Sequence, residues 1–346
     1  RPELESARAA RREVAGRLVD AQQSLEQLLA EIYGAERGRW YYRRERRALL
    51  SARQIDELLS DACDRTYHQA PRIWNELIVR RQLSSAAARA RRNLVETMLE
   101  RPDEELLGIT GFPPERAIYE SVMREGGLHR RDETGQWRIG PPPADDPLGL
   151  RPAWAAMEEF LGADAPEPRP VVALYSLLEG PPFGLKAGLT PLLLVALYAA
   201  RAGEIVFYER GTYVPVPDLA MFERLLTRPE QFALRLSRAD GARRQVYERL
   251  AAALAPRALA LPVQPALLAV AMPLLRSLRA LPEYSRRTKR VSERAQAVRA
   301  ALQEARSPDE LIFERLPAAC GLPPFRADEP ADSARVDAFA AALRAA

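Results

Sequence analysis

Twice along the chain, near 85–140 and near 170–217, helical periodicity gives way to a short alternating stretch with a turn in its middle. Helices followed by a two-stranded hairpin is the order of a winged helix, and it narrows the possible folds more than any other feature. In the first occurrence Pro113-Pro114 opens a helix with Ile118, Tyr119 and Val122 inward, and Gly126-Gly127 stops it. Leu128 to Ile139 then read as a hairpin turning at Asp132-Glu133-Thr134-Gly135, with Trp137 and Ile139 on the half-buried side. In the second, helices from Val171 to Leu178 and from Leu189 to Ala200 precede strands from Ile205 to Tyr208 and Thr212 to Val216. The two occurrences share architecture without evident sequence identity, so no internal repeat is inferred.

The expected fold is mainly α with small β-hairpins. Val14, Leu18, Ala21, Leu25, Leu28 and Ile32 alternate steps of four and three, the seam of a coiled coil or helical hairpin, which assigns 1–50 to a coiled-coil-like segment. A capping box, Ser51-x-x-Gln54, opens a helix expected to bury Ile55, Leu58, Leu59 and Ala62, with Cys63 as a small core residue. After Pro71 a short helix is expected to turn Ile73, Trp74, Leu77 and Ile78 inward, and Ser84 or Ser85 caps the helix that ends near Leu99. The proline-rich run 141–150 reads as a linker, dividing a winged-helix-like domain at 51–140 from a second at 151–240. Residues 241–346 read as a C-terminal helical domain, with Ser307-Pro308-Asp309-Glu310 as a strong helix start.

With 47% hydrophobic and 28% charged residues in 346, the chain has the composition of a folded protein, not a disordered one. The apolar stretch from Leu259 to Leu275 is interrupted by Pro262, Pro265 and Pro273, so a core helix is expected there and no membrane span. The chain starts Arg1-Pro2-Glu3-Leu4 with neither initiator methionine nor signal segment, and reads as an interior piece of a larger bacterial protein. Cys63 and Cys320 are too few for a disulfide framework or a zinc site, so a reducing cytoplasm is expected.

No catalytic constellation is evident, and no cofactor or metal is expected. His68 and His129 are the only histidines; His68 reads as a surface or capping residue, and His129 begins a hairpin. The stretch Gly180-Pro181-Pro182-Phe183-Gly184-Leu185-Lys186 has the wrong spacing for a phosphate loop, puts Ala187 where the magnesium-binding hydroxyl belongs, and loses two N–H donors to proline. Asp61 and Asp64 share a helical face without a histidine partner and read as surface acids.

Only Lys186 and Lys289 among the 51 basic residues are lysine. Arginine on that scale fits bidentate phosphate or carboxylate binding, and fits equally the codon bias of a GC-rich genome. Candidate DNA contacts are Arg116 and Arg124 on the outer face of the first unit's last helix and Arg130, Arg131 and Arg138 on its wing. Arg89 and Arg92 early in the Ser84-capped helix, and the Arg286, Arg287, Lys289, Arg290 cluster, are further candidates. Arg43 and Arg44 follow Trp40-Tyr41-Tyr42, whose rings can stack on bases. The helix Leu189 to Tyr198 is apolar all round, so the second unit reads as a packing or protein-contact module.

Several stretches resemble the region following the ATPase core in large P-loop ATPases of bacterial phage-defence islands, of the BREX type. They are Ala70 to Ile78 (APRIWNELI) with Leu83-Ser84-Ser85-Ala86-Ala87, Gly111-Phe112-Pro113-Pro114-Glu115, Pro182-Phe183-Gly184-Leu185-Lys186, and Leu281-Pro282-Glu283-Tyr284. The resemblance implies a parent machine that uses ATP and acts with other defence proteins on DNA. Walker motifs have no match here, so only an accessory role carries over. The expected function is a non-catalytic DNA-contacting and coupling region, with other subunits or domains of a defence complex as partners; the alternative is a protein–protein scaffold that touches no nucleic acid.

Overall fold

The computed structural model describes residues 8–33, 39–48, 51–80, 82–162, 167–201, 204–214, 217–236, 250, 274–276, 278, 280–288, 290–326 and 332–345. The chain forms two compact units, Arg1–His68 and Gln69–Ala346.

In the first unit, α1 (Arg8–Tyr33) is a 26-residue helix whose described side chains from Arg11 onward are all exposed, the apolar seam included. Strands β1 (Trp40–Tyr42) and β2 (Glu45–Arg47) pair antiparallel, Tyr41 opposite Arg46. Arg43 and Arg44 make their two-residue turn, with φ of 55° and 68°. Two positive φ values at the centre is the pattern of a type I′ hairpin turn, which matches the twist of the strands but favours Asn-Gly. In α2 (Ala52–Thr66), Ser51 caps as its sequence indicates, accepting a bond from the Gln54 N–H. The helix buries no residue completely: Leu59 is exposed, and so is Cys63, which is therefore not a core residue.

The second unit is mainly helical around one continuous apolar core running from Ile73 to Leu236. It holds α3 (Ser85–Glu100), capped by Ser84, and α4 (Pro114–Ile118), which continues as a π-helix over Tyr119–Arg124. Hairpin β3 (His129–Arg131) and β4 (Trp137–Ile139) follows. Then come α5 (Arg151–Leu161), β5 (Arg169–Pro170), α6 (Val171–Glu179), α7 (Thr190–Ala200), β6 (Ile205–Glu209) and β7 (Thr212–Val214). Helix α8 (Leu219–Thr227) and strand β8 (Phe232–Leu236) complete this half. Both helix–hairpin units are thus present, but the second is elaborated: β8 inserts between β5 and β6, giving an antiparallel sheet of order β5-β8-β6-β7. Helix α7 is buried from Thr190 to Leu197, as an all-apolar helix must be.

Residues 141–150 are not a linker. Leu148 and Leu150 are buried in the common core, and the Leu148 carbonyl accepts the Arg72 N–H at 2.8 Å. Asp146 accepts the N–H groups of Leu150 and Arg151 at 2.7 and 2.8 Å, so the stretch launches α5. Proline excludes helix and strand here but does not exclude packing. The expected helix at 73–78 is absent too. Asn75 donates to the Ala117 carbonyl and the Ser121 hydroxyl and accepts from the Leu77 N–H, which replaces helical bonding with side-chain bonding. Ile73 and Ile78 are buried, while Trp74 points outward with 93% of its surface exposed.

Toward the C-terminus, Ser292 caps Glu293–Glu304, and Ser307 caps a helical path through Pro308–Glu310, Leu311–Arg315 and Leu316–Ala319. With Ser333–Ala345 these segments enclose a second core around Phe313, Phe325 and Phe339. Arg235 on β8 reaches Asp309 at 2.6 Å. The core helix expected over 259–275 falls almost wholly outside the described residues, as do most of residues 241–258 of the expected C-terminal domain. Among the described residues, no helix is long and apolar enough to cross a membrane.

Candidate nucleic-acid interface

A phosphate-binding arginine has to present its guanidinium to solvent with no nearer acceptor. The β3–β4 wing fails that condition at two of its three arginines. The Arg130 guanidinium donates to the carbonyls of Gly127 and Pro141, clamping the hairpin to the chain that follows. Arg138 pairs with Asp132 at 2.6 Å, both side chains about three-quarters covered. Asp132 is also held by the Thr134 hydroxyl at 2.6 Å, and this bond, ahead of Arg138, keeps its carboxyl below the usual range. Arg131 alone stays exposed, its guanidinium 5.3 Å from the Trp137 ring centre.

The neighbouring helix is similarly occupied. Arg116 donates to the Gly111 carbonyl and to Glu120, and covers the Phe112 ring at 4.7 Å. Arg124 bonds the same Glu120 at 2.9 Å, and that bond raises its pKa. Arg92 is tied to Glu223 on α8 at 2.7 Å, bracing α3 against α8, whereas Arg89 is exposed. Arg290 is exposed; Arg286 and Arg287 lie on helix Glu283–Arg287 without described side chains, and Lys289 lies outside the described residues. Of the arginines expected to contact DNA, Arg92, Arg116, Arg130 and Arg138 are thus each engaged by acceptors of the fold itself.

The β1–β2 hairpin is different. Tyr41, 63% exposed, faces Arg46 across the ladder on one side of the ribbon. Arg43, Arg44 and Arg46 are exposed, and among the described residues no carboxylate pairs with any of them. Arg47 is paired with Glu45 at 2.9 Å. The segment 37–47 carries six arginines and one glutamate, so the hairpin is locally basic in a chain whose net charge is only +4.

His129 shows what the sequence did not signal. It is buried, stacked on Trp137 at 5.0 Å, with Tyr119 edge-on at 5.7 Å. The Pro102 carbonyl, 3.1 Å away, can only accept, so Nε2 carries the proton and donates to it; Nδ1 then accepts from the Tyr119 hydroxyl at 2.9 Å. Through these two bonds His129 forms a buried polar joint between β3 and the π-helix. Burial lowers the His129 pKa, with the Pro102 bond opposing, and burial with help from Glu120 pushes the Tyr119 phenol up to about 12. The unfolded histidine, near 6.5, therefore binds a proton that the native state resists. Its contribution to stability is complete above about pH 6.5 and is lost as pH falls through the depressed native value. Urea midpoints measured from neutral pH down to about pH 5 should fall more steeply for the wild type than for His129→Gln; parallel curves would refute the assignment.

No family model matches this chain, and no curated protein or solved structure proves significantly similar to it. Among the described residues, no three His, Cys, Asp or Glu side chains gather where they could hold a metal; Asp61 is instead paired with Arg65 at 2.9 Å.

Proposed function

We propose that the chain works by binding, with the arginine and tyrosine side of β1–β2 as its nucleic-acid contact. One observation carries this reading: Tyr41 and Arg46 share a face of a ribbon whose tip displays Arg43 and Arg44, all of them exposed. Guanidinium groups pair with phosphate oxygens, and a phenol ring stacks on a base of any sequence. Holding two non-glycine residues at positive φ costs on the order of 1 kcal/mol each, and strain of this kind collects at functional tips. The resemblance to BREX-type ATPases supplies the setting, a larger ATP-driven defence machine in which this region contacts DNA and couples that contact to its neighbours.

The test is fluorescence anisotropy with a labelled duplex and a labelled single strand over a salt series. Three phosphate contacts predict that affinity drops by about 40-fold between 50 and 200 mM salt. Arg43→Ala, Arg44→Ala and Arg46→Ala together should flatten the salt slope by about three units. Arg131→Ala should change it far less. No binding of either probe at low salt would sink the proposal.

A second reading, docking of a protein partner, is favoured by Trp74 and Phe112, which are 93% and 91% exposed. Phe112, Pro113, Arg116, Ala117 and Glu120 line a groove of about 190 Å³, and Asn75, next to Trp74, bonds the Ala117 carbonyl. Large aromatics in this position are the usual anchors of protein interfaces. The salt series separates the two readings, since a docking scaffold would ignore both probes.

A further inference from the structure

We infer that α1 pairs with α1 of a second copy of this chain as an antiparallel coiled coil. Val14, Leu18, Leu25, Leu28 and Ile32 are each half exposed or more, and Ala21, the sixth member of the seam, is exposed as well. Steps of four and three make Leu18, Leu25 and Ile32 the a positions and Val14, Ala21 and Leu28 the d positions of a heptad.

Antiparallel self-pairing sets a against d of the partner copy. The register that keeps the whole seam covered places Leu18 opposite Leu28, Ile32 opposite Val14 and Leu25 opposite Ala21, each twice by symmetry. Leucine meets leucine in two of the six layers, and in the other four Leu25 meets Ala21 or Ile32 meets Val14, so a larger side chain fills the space beside a smaller one.

The flanking positions agree with the same register. Arg17, Ser24 and Glu31 occupy g, so Arg17 of one copy meets Glu31 of the other on both sides of a two-fold axis at Ser24. Ala15, Gln22 and Leu29 occupy e, which puts Leu29 over Ala15 and widens the apolar strip. Among the described residues Arg17 pairs within its own chain with Glu13, at 3.0 Å with both side chains mostly exposed, and its five donors allow it to hold a second carboxylate. Among the described residues Glu31 has no ion-pair partner. A parallel pair is worse on every count: it sets Arg11 against its own copy at an a position, Arg17 against Gln22, and Ser24 against Leu29. Charge complementarity thus chooses both the occupant and its direction.

Sedimentation equilibrium on the full chain should show a monomer–dimer equilibrium in the micromolar range, because six layers make a small interface. Leu25→Glu should leave the circular dichroism of the chain intact, since the residue is exposed in the monomer, and abolish the dimer. Arg17→Glu alone and Glu31→Arg alone should each weaken dimerisation about tenfold, and the double exchange should restore it. In a Cys63→Ser background, Ser24→Cys should form an interchain disulfide on mild oxidation, because only the antiparallel register brings residue 24 to its own symmetry mate. A chain that stays monomeric at high concentration overturns the inference. So does a dimer indifferent to Leu25→Glu, and so does one that responds to Leu25→Glu but shows neither rescue nor cross-link.

Discussion

Phe222→Ala is expected to lower the unfolding free energy by about 3–5 kcal/mol, a large part of the 5–15 kcal/mol typical of a folded domain. Phe222 on α8 is fully buried, with its ring 5.2 Å from Tyr198 on α7 and 5.4 Å from Phe207 on β6. Tyr198 and Phe207 are themselves 5.4 Å apart, so three rings from three elements close on one another at tilted and edge-on angles, the preferred geometry of aromatic clusters. Removing the middle ring takes away transfer energy, leaves a cavity, and forfeits two ring contacts at once. Phe222→Leu should cost less than half as much, because most of the volume is kept. Urea denaturation with the midpoint and slope compared across wild type, F222A and F222L checks this; equal midpoints for the first two would show that the cluster is not what joins α8 to the sheet.

Gly188→Ala is the second large effect. A Cβ there would lie 2.3 Å from the Ile78 carbonyl oxygen and 3.0 Å from the Leu83 side chain, and the first of these is backbone. The adjacent Ala187 carbonyl is also bonded by Arg91 at 3.3 Å, so the loop before α7 is held against the 78–91 region from two directions. A single methyl group should cost about 1–3 kcal/mol by overpacking, seen as a fall in melting temperature of about 2–4 °C per kcal/mol. Gly111→Ala, where nothing lies within 4 Å, serves as the control for backbone strain without crowding, since its φ is 71°. Should G188A melt no lower than G111A, the close approach is not rigid.

Much of the secondary structure could be read from local patterns. The Ser51, Ser84 and Ser307 caps, the glycine stop after the π-helix, both hairpins of the second unit and the buried α7 follow from spacing alone. Strand β8 was also legible, since Phe232, Leu234 and Leu236 alternate with Ala233 and Arg235, but five residues between helical stretches give a weak signal. What could not be read was decided by partners distant in sequence. Trp74 faces solvent because Asn75 bonds residues 42 and 46 positions away. Arg130 is consumed by backbone carbonyls, which every residue possesses and no pattern marks. The same holds for 141–150, where the Arg72 N–H fixes the chain at Leu148. Arginine content thus pointed to a basic surface, while the choice between hairpins depended on which guanidinium groups the fold itself had already satisfied.

The continuity of the core across 141–150 governs how this part of the molecule can move. With α3 braced to α8 by Arg92 and Glu223, the described residues from Ile73 to Leu236 share one apolar core that continues through Leu148 and Leu150. Proteolytic separation of its halves is therefore expected to destabilise both, because each buries apolar surface against the other.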